Sequence, residues 1–406
     1  MSAHVNTYFK KSVTFFPNAQ NTHSMKVSEF KTAGKLITGL GAIKALADEM
    51  TRLGIKDCAV VTDKGVSSSG LLEQVLALLP YPPLHIIDDI PPEPAVNIIE
   101  AKLNDLRENK VDGIIALGGG SAIDSAKVLA ATYDHSGSIS KLFGENTLSE
   151  RRLPLIVIPT TAGTGSEVTN IAILSDPKAQ MKKGIVSHCL LPDIAIVAPE
   201  MTKTCPPSIT AASGIDAFVH ALEAYISVNA SPITDALAEK ALKLIFNSLV
   251  HAYNNGENLA AREDMATGSL MAGLAFGNAG VGAVHALAYP LGGRFHLSHG
   301  MSNAVMLPHV LKVNAPFCQD KLYCVAKLLK VCERHHSKDE AIKLLLIAIE
   351  KLCRDVDIPA SLTHFNISSS CVGELAEEAS KVTRLLRNNP KQLSIEEIED
   401  IYRLAF

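Results

Sequence analysis

Between Lys56 and about Pro199 the chain alternates short β-rich apolar runs with helical stretches. CAVVTD (58–63), LHIIDDI (84–90), DGIIALGGG (112–120), LPLIVIPTT (153–161) and IAIVAPE (194–200) each read as a buried strand that ends in turn residues. Strands separated by helices in this way predict a parallel α/β sheet. After Cys205-Pro206-Pro207 the β-rich runs stop. Segments rich in Ala, Leu and Glu with helical periodicity then continue to Phe406, with breaks expected at Gly292-Gly293 and around Asn314-Ala315-Pro316. The expected architecture is a parallel-sheet domain over 1–205 followed by an all-helical domain over 206–406, closely packed and without a low-complexity linker. Residues 1–25 lack periodicity and read as an extension, or as a strand that pairs with another subunit.

Composition narrows the function classes. At 406 residues and 47% hydrophobic, the chain can bury two cores of about 200 residues each. Its net charge of -4 is spread with both signs intermixed, so no basic field draws in nucleic acid. No apolar stretch approaches the roughly 20 residues of a membrane span, and the first 25 residues lack the apolar core of a signal peptide. The eight cysteines are scattered without a C-x-x-C pair, which suits reduced thiols in a cytoplasm.

Two loops carry the first chemical signal. The run Asp112–Leu117 enters Gly118-Gly119-Gly120-Ser121 and a helix follows at once, so small residues and unpaired helix N–H groups could receive a pyrophosphate. A second loop, Ala162-Gly163-Thr164-Gly165-Ser166-Glu167-Val168-Thr169, offers more backbone N–H groups and hydroxyls at the same sheet edge. Asp63, closing the first strand, could accept from an adenosine ribose and repel a 2'-phosphate, favouring NAD over NADP; it could equally cap the next turn.

The second signal is a set of metal donors. In GIDAFVHALEAYI, Asp216 and His220 stand four residues apart on one helix face, and His285 and His299 follow in GAVHALAYP and HLSHGMSNA. Three imidazoles and a carboxylate in otherwise apolar helices are costly to bury alone, and a cation satisfies them together. Nitrogen and oxygen donors suit Fe(II) or Zn(II) and do not choose between them. His296 is a further candidate for the site wall. Asp235, Glu223 and Glu239 read as solvated helix faces, and His188, His251 and His309 as structural or exposed. Phe143 and Phe276 are candidates for a substrate-pocket wall, although core packing is the commoner role for either.

GGGSAID (118–124), PTTAGTGSEVT (159–169), GIDAFVHALEAY (214–225) and HALAYPLGGRFHLSHG (285–300), in this order, resemble the iron-containing (group III) alcohol dehydrogenases, over about Phe30 to Phe406. Within that family the chain looks most like the bacterial ethanol, butanol and lactaldehyde reductase types. The resemblance implies a dinucleotide-binding domain before a metal-binding one, with chemistry between them. By similarity, Asp216, His220, His285 and His299 match the metal ligands, and Gly119, Gly120 and Ser121, with Asp124 in the same motif, match the pyrophosphate loop. Thr160, Thr161 and Thr164 match the phosphate and nicotinamide loop, and Lys182, beside Lys183, matches a lysine at the nicotinamide ribose. Where many members carry a histidine four residues after the third ligand, this chain has Tyr289, a poorer proton relay near neutral pH. The implied enzyme moves a hydride between a small primary alcohol or aldehyde and NAD(H), with the metal as Lewis acid on the substrate oxygen, and works as a homo-oligomer, a dimer favoured. Rival readings are a zinc-dependent glycerol dehydrogenase-like or dehydroquinate synthase-like enzyme, a metal-dependent hydrolase, and a non-catalytic metal-binding protein.

Overall fold

The computed structural model describes residues 27–179 and 181–406, so the expectation for residues 1–25 lies outside the described residues. Among the described residues nine strands form two sheets: β1 (Lys35–Thr38), β2 (Cys58–Val61), β3 (His85–Ile87), β4 (Gly113–Gly118), β5 (Gly144–Glu145), β6 (Leu155–Pro159), β7 (Ile171–Asp176), β8 (Met181–Val186) and β9 (Ile194–Val197). The larger sheet has the order β1-β9-β6-β4-β2-β3 and is parallel throughout. Its inner strands are buried along their whole length, and successive residues feed different cores. Ala59, Val61, Ile114, Ala116 and Val157 face one, while Cys58, Val60, Ile115, Leu117 and Ile158 face the other. Covering both faces is what parallel pairing requires, because the crossover helices lie there. All five sequence-predicted strands are present. β3 departs from the buried expectation because it is the sheet edge, where Ile86 is 40% exposed. β1, the second edge, and the small β5-β8-β7 sheet were not anticipated.

Register gathers the chemistry-bearing loops. Val61 pairs with Ala116 and Gly118 pairs with Pro159, so the carboxyl ends of β2, β4 and β6 lie side by side. Asp63, Gly118–Ser121 and Thr160–Thr164 all leave from that edge, the usual ligand side of a parallel sheet. The helix α1 (Gly120–Thr132) starts inside the glycine run itself.

Among the described residues no strand follows β9. Helices α2 (Pro207–Ile226), α3 (Pro232–Asn254), α4 (Leu259–Ala279), α5 (Ala283–Phe295) and α6 (His299–Asn314) surround a separate core. α2 lies at its centre: from Gly214 to Ile226 every residue is buried. A helix apolar on all sides belongs inside. The expected break at Asn314 is present, where α6 ends in a short 3-10 turn. The break expected at Gly292-Gly293 is not, because α5 runs through both glycines and stops at His296, whose φ is 55°. Gly292 instead makes room for a neighbour, since a Cβ there would stand 2.7 Å from the Lys182 ammonium. No single helix among the described residues is long and apolar enough to cross a membrane; α4 and α5 are so only as a pair bent by 102°.

The loop after β6 clamps sheet and helices together through backbone contact. Gly165 has φ of 61°, and a Cβ on it would lie 2.5 Å from the Gly273 Cα of α4; a Cβ on Gly273 would lie 2.8 Å from the Gly165 Cα. Neither side can yield, so both positions need glycine. Two alanine substitutions in helices should therefore act in opposite directions. Gly373 is exposed, and a Cβ on it would make only an ordinary van der Waals contact, 3.9 Å from a Glu399 carboxylate oxygen, so Gly373→Ala should gain up to about 1 kcal/mol from helix propensity. Gly273→Ala should instead lose about 1–3 kcal/mol through overpacking, read as a lower midpoint in thermal or denaturant unfolding.

Candidate active site

The buried helix α2 presents Asp216 and His220 one turn apart, and Glu223 one residue short of a further turn. All three are buried, at 1%, 4% and 2% exposure. α5 brings His285 and the start of α6 brings His299. The four side chains Asp216, His220, His285 and His299 each offer one donor atom, and these atoms lie within 4.8 Å of one another. His220 and His285 rings stack at 4.6 Å. His299, 32% exposed, closes the group on the side that faces a cavity.

Hydrogen bonds around the cluster set which atoms point inward. The His285 Nδ1 lies 2.6 Å from a Glu223 carboxylate oxygen, while the other oxygen accepts from the Val284 N–H at 2.7 Å. A carboxylate only accepts, so Nδ1 carries the proton and Nε2 keeps its lone pair. That buried Nε2 has no hydrogen-bond partner and lies 3.8 Å from Asp216. His220 is fixed in the same way, because its Nδ1 sits 3.2 Å from the Gly163 carbonyl, which also can only accept. Asn303 donates to Asp216 at 2.6 Å. Burial pushes the His220 pKa down to about 4, so at neutral pH its ring is uncharged and can donate a lone pair. An orphaned imidazole nitrogen, neutral rings and a carboxylate, with nitrogen and oxygen donors only, fit a divalent transition metal.

Glu223 corrects the sequence reading. Expected on a solvated face, it is sealed inside, because the side of α2 it occupies is packed by α5 rather than by water. Asp235 and Glu239 are half-buried and paired, Asp235 with Lys321 at 3.0 Å and Glu239 with the Tyr225 hydroxyl at 2.8 Å. Asn303 and the Gly163 carbonyl carried no signal in the sequence. Glu223 did carry one: HALEA places it three residues after His220 in a helix with no polar face.

One cavity of about 150 Å3 joins this cluster to the glycine loop. Gly120, Ser121, Asp124, Thr164 and Lys182 line it together with His220, His285, His299 and Tyr289. A Cβ at Gly120 would stand 2.8 Å from the Thr164 side chain, so the bare backbone forms a cradle between the two loops. α1 begins there without a side-chain cap, which leaves its first-turn N–H groups for a ligand. Gly119 packs toward Thr161, and Thr160 donates its N–H to the Gly118 carbonyl; these residues and Asp63 do not line the cavity itself. Asp63 caps the following turn, accepting from Val66 N at 2.9 Å. Lys182 points inward and pairs with Glu93, whereas Lys183 turns to Asp176 at 2.8 Å. Phe276 lines the cavity and stacks on His220 at 4.1 Å, so it is more than core; Phe143 lies under Lys183 instead. His296 lines a neighbouring cavity that shares Lys182 and Tyr289. The Tyr289 ring is 6.2 Å from His299, and desolvation pushes its phenol above the ordinary value.

Residues 33–199 match the family described as iron-containing alcohol dehydrogenase, and residues 210–406 match its C-terminal counterpart. The chain belongs to the iron-containing alcohol dehydrogenases. It is 44% identical to long-chain-alcohol dehydrogenase 1 of Geobacillus thermodenitrificans, over 91% of this chain and 94% of that one. With alcohol dehydrogenase 4 of Saccharomyces cerevisiae it shares 37% identity, over 91% and 96%. The crystal structure of a 1,3-propanediol oxidoreductase superposes with a TM-score of 0.91 at 35% identity, covering 94% of this chain and all of the other. Members of the iron-containing alcohol dehydrogenase family are alcohol and aldehyde oxidoreductases that use NAD(H) and iron.

The hydrogen bonds behind the cluster make a direct prediction for this dehydrogenase. Glu223→Ala should weaken metal retention by about 10- to 100-fold, measured by competition against a chelator, since the outer partner of a ligating histidine orients it. Glu223→Gln, which can still accept one hydrogen bond, should retain metal more tightly than Glu223→Ala.

Proposed function

We propose that this chain interconverts small primary alcohols and their aldehydes with NAD(H), at the cavity shared by the imidazole cluster and the glycine loop. The observation that carries the reading is that single cavity, lined by Gly120, Ser121 and Thr164 at one part and by His220, His285 and His299 at another. Asp216, His220, His285 and His299 would hold the metal, and Gly119, Gly120, Ser121, Asp124, Thr160, Thr161, Thr164 and Lys182 would hold the dinucleotide, with Asp63 near the adenosine ribose. When bound, the metal supplies Lewis acidity toward a substrate oxygen and the nicotinamide gives or takes the hydride.

The protein's share of the work is preorganisation. Glu223 and the Gly163 carbonyl hold two imidazoles in one tautomer before anything binds. α1 offers its positive end to a pyrophosphate, and Thr164 packs over the same cradle. Phe276, Val281, Ile173 and Leu174 keep the rest of the wall apolar, which excludes water from the reacting groups. Tyr289, with its raised pKa, stays a neutral hydroxyl near neutral pH and would act as a hydrogen-bonding wall rather than as the proton acceptor. We place the domain boundary near residue 205 and expect a cytoplasmic homo-oligomer, dimer favoured; eight unpaired cysteines support a reducing compartment.

Anaerobic purification, Fe(II) reconstitution and a panel of primary alcohols and aldehydes with NAD and NADP side by side test the reading. NAD(H)-dependent turnover is expected, and no turnover on any of them would contradict it. A strong preference for NADP would overturn only the role given to Asp63. His285→Ala should abolish metal retention and turnover and leave NADH binding measurable; normal activity in that variant would remove His285 from the ligand set.

A further inference from the structure

A cation of the cavity wall remains without an assigned partner. The short helix Thr383–Leu386 puts Arg384 and Leu385 into the wall that also contains the three imidazoles. The Arg384 guanidinium lies against β8, where a Cβ on Gly184 would be 3.5 Å from it, and it interacts with the Tyr289 phenol. Nearby cations are already neutralised. Arg387 pairs with Glu145 at 2.8 Å, Arg294 with Glu374 and Glu378, and Lys182 with Glu93. Among the described residues no carboxylate comes within ion-pair distance of Arg384.

Two acidic groups share the wall. Glu93 holds Lys182, and Asp124 accepts from the Ile173 N–H at 2.8 Å through one oxygen, while its other, buried oxygen has no hydrogen-bond partner and lies 3.9 Å from the Lys127 ammonium. Arg384, half-buried beside the Tyr289 phenol, therefore supplies a positive charge outside any ion pair, with a planar fork of donors, in a wall that also carries the apolar side chains of Ile173, Leu174, Phe276, Val281 and Leu385. A guanidinium in such a place matches a carboxylate in a two-pronged arrangement. The cofactor's pyrophosphate already has its own donors at the start of α1, so the unpaired fork is left for the other ligand of the cavity.

We propose that Arg384 reads the substrate, and that the favoured aldehyde carries a carboxylate at the end of a short apolar chain. This rests on the dehydrogenase reading given above. The carboxylate engages Arg384, the methylenes lie along the apolar wall, and the carbonyl end reaches the imidazole cluster. Arg384 is thus a specificity-determining residue.

The test uses matched probes with the Fe(II)-reconstituted enzyme and NADH: 4-oxobutanoate and 5-oxopentanoate against butanal and pentanal. The wild type should favour at least one anionic member over its neutral counterpart in kcat/KM. Arg384→Leu should lower kcat/KM for that member by about 10- to 100-fold, the worth of a charged hydrogen-bonded contact, with neutral aldehydes and the KM for NADH little changed. Three results would overturn the inference: no anionic preference in the wild type, an equal fall for neutral and anionic aldehydes, or a rise in the KM for NADH, which would assign Arg384 to the cofactor. If neither class is reduced, the dehydrogenase reading fails. The carboxylate inference is then decided by calorimetric titration of butanoate into the NADH complex, where binding lost in Arg384→Leu supports it and binding absent or unchanged in the variant refutes it.

Discussion

The burial of Asp216, His220 and Glu223 on one central helix is the constraint from which the rest of this structure follows. Taking a carboxylate out of water costs several kcal/mol per ion unless it is paired and hydrogen-bonded, and α2 carries two of them with an imidazole between. Each neighbouring element answers part of that cost. α6 contributes Asn303 to Asp216, α5 contributes the Val284 N–H and the His285 Nδ1 to Glu223, and the loop after β6 contributes the Gly163 carbonyl to His220. What stays unanswered is the inward face, where the His285 Nε2 has no partner. A cation at that face completes the set.

The same loop gives the molecule its coherence. It leaves β6 at the carboxyl edge of the sheet, cradles the start of α1 through Thr164, and touches α4 backbone to backbone at Gly165 and Gly273. Lys127 of α1, fully buried, fixes the loop's far end by donating to the Thr169 and Ile171 carbonyls at 2.8 and 3.0 Å. Burial pushes its pKa down to about 8. A loop pinned at both ends between sheet and helices ties the glycine cradle to His220, and so holds the cradle at a set distance from the imidazole cluster. Precise spacing of this kind is what a hydride step demands of its protein.

Much of this was legible in the sequence because the decisive features are local. Apolar β-rich runs named the inner strands, and glycines before a helix named the cradle. The α/β fold with a helical second half follows from the pattern of apolar runs. Other features escaped because they depend on distant packing. Gly292 reads as a helix break from its own neighbourhood, yet it is a notch for Lys182, more than a hundred residues earlier in the chain. Glu223 reads as a surface acid until α5 is seen to cover it. β7 is buried only at every second position and β8 carries Lys182 and Lys183 within it, a weaker signal than the apolar inner strands. Arg384 lies in a short helical turn whose sequence gives no hint of the cavity it enters.

The central claim is that one cavity would bring a metal held by the imidazole cluster against the nicotinamide of a dinucleotide whose pyrophosphate rests on the glycine loop. Paramagnetic relaxation tests it most directly, with Mn(II) as the stand-in cation in the metal-free protein and the nicotinamide C4 protons of bound NADH as reporters. The account predicts strong relaxation of those protons that disappears in His285→Ala while NADH stays bound. Unperturbed C4 protons in the wild type, with both Mn(II) and NADH shown to be bound, would contradict it.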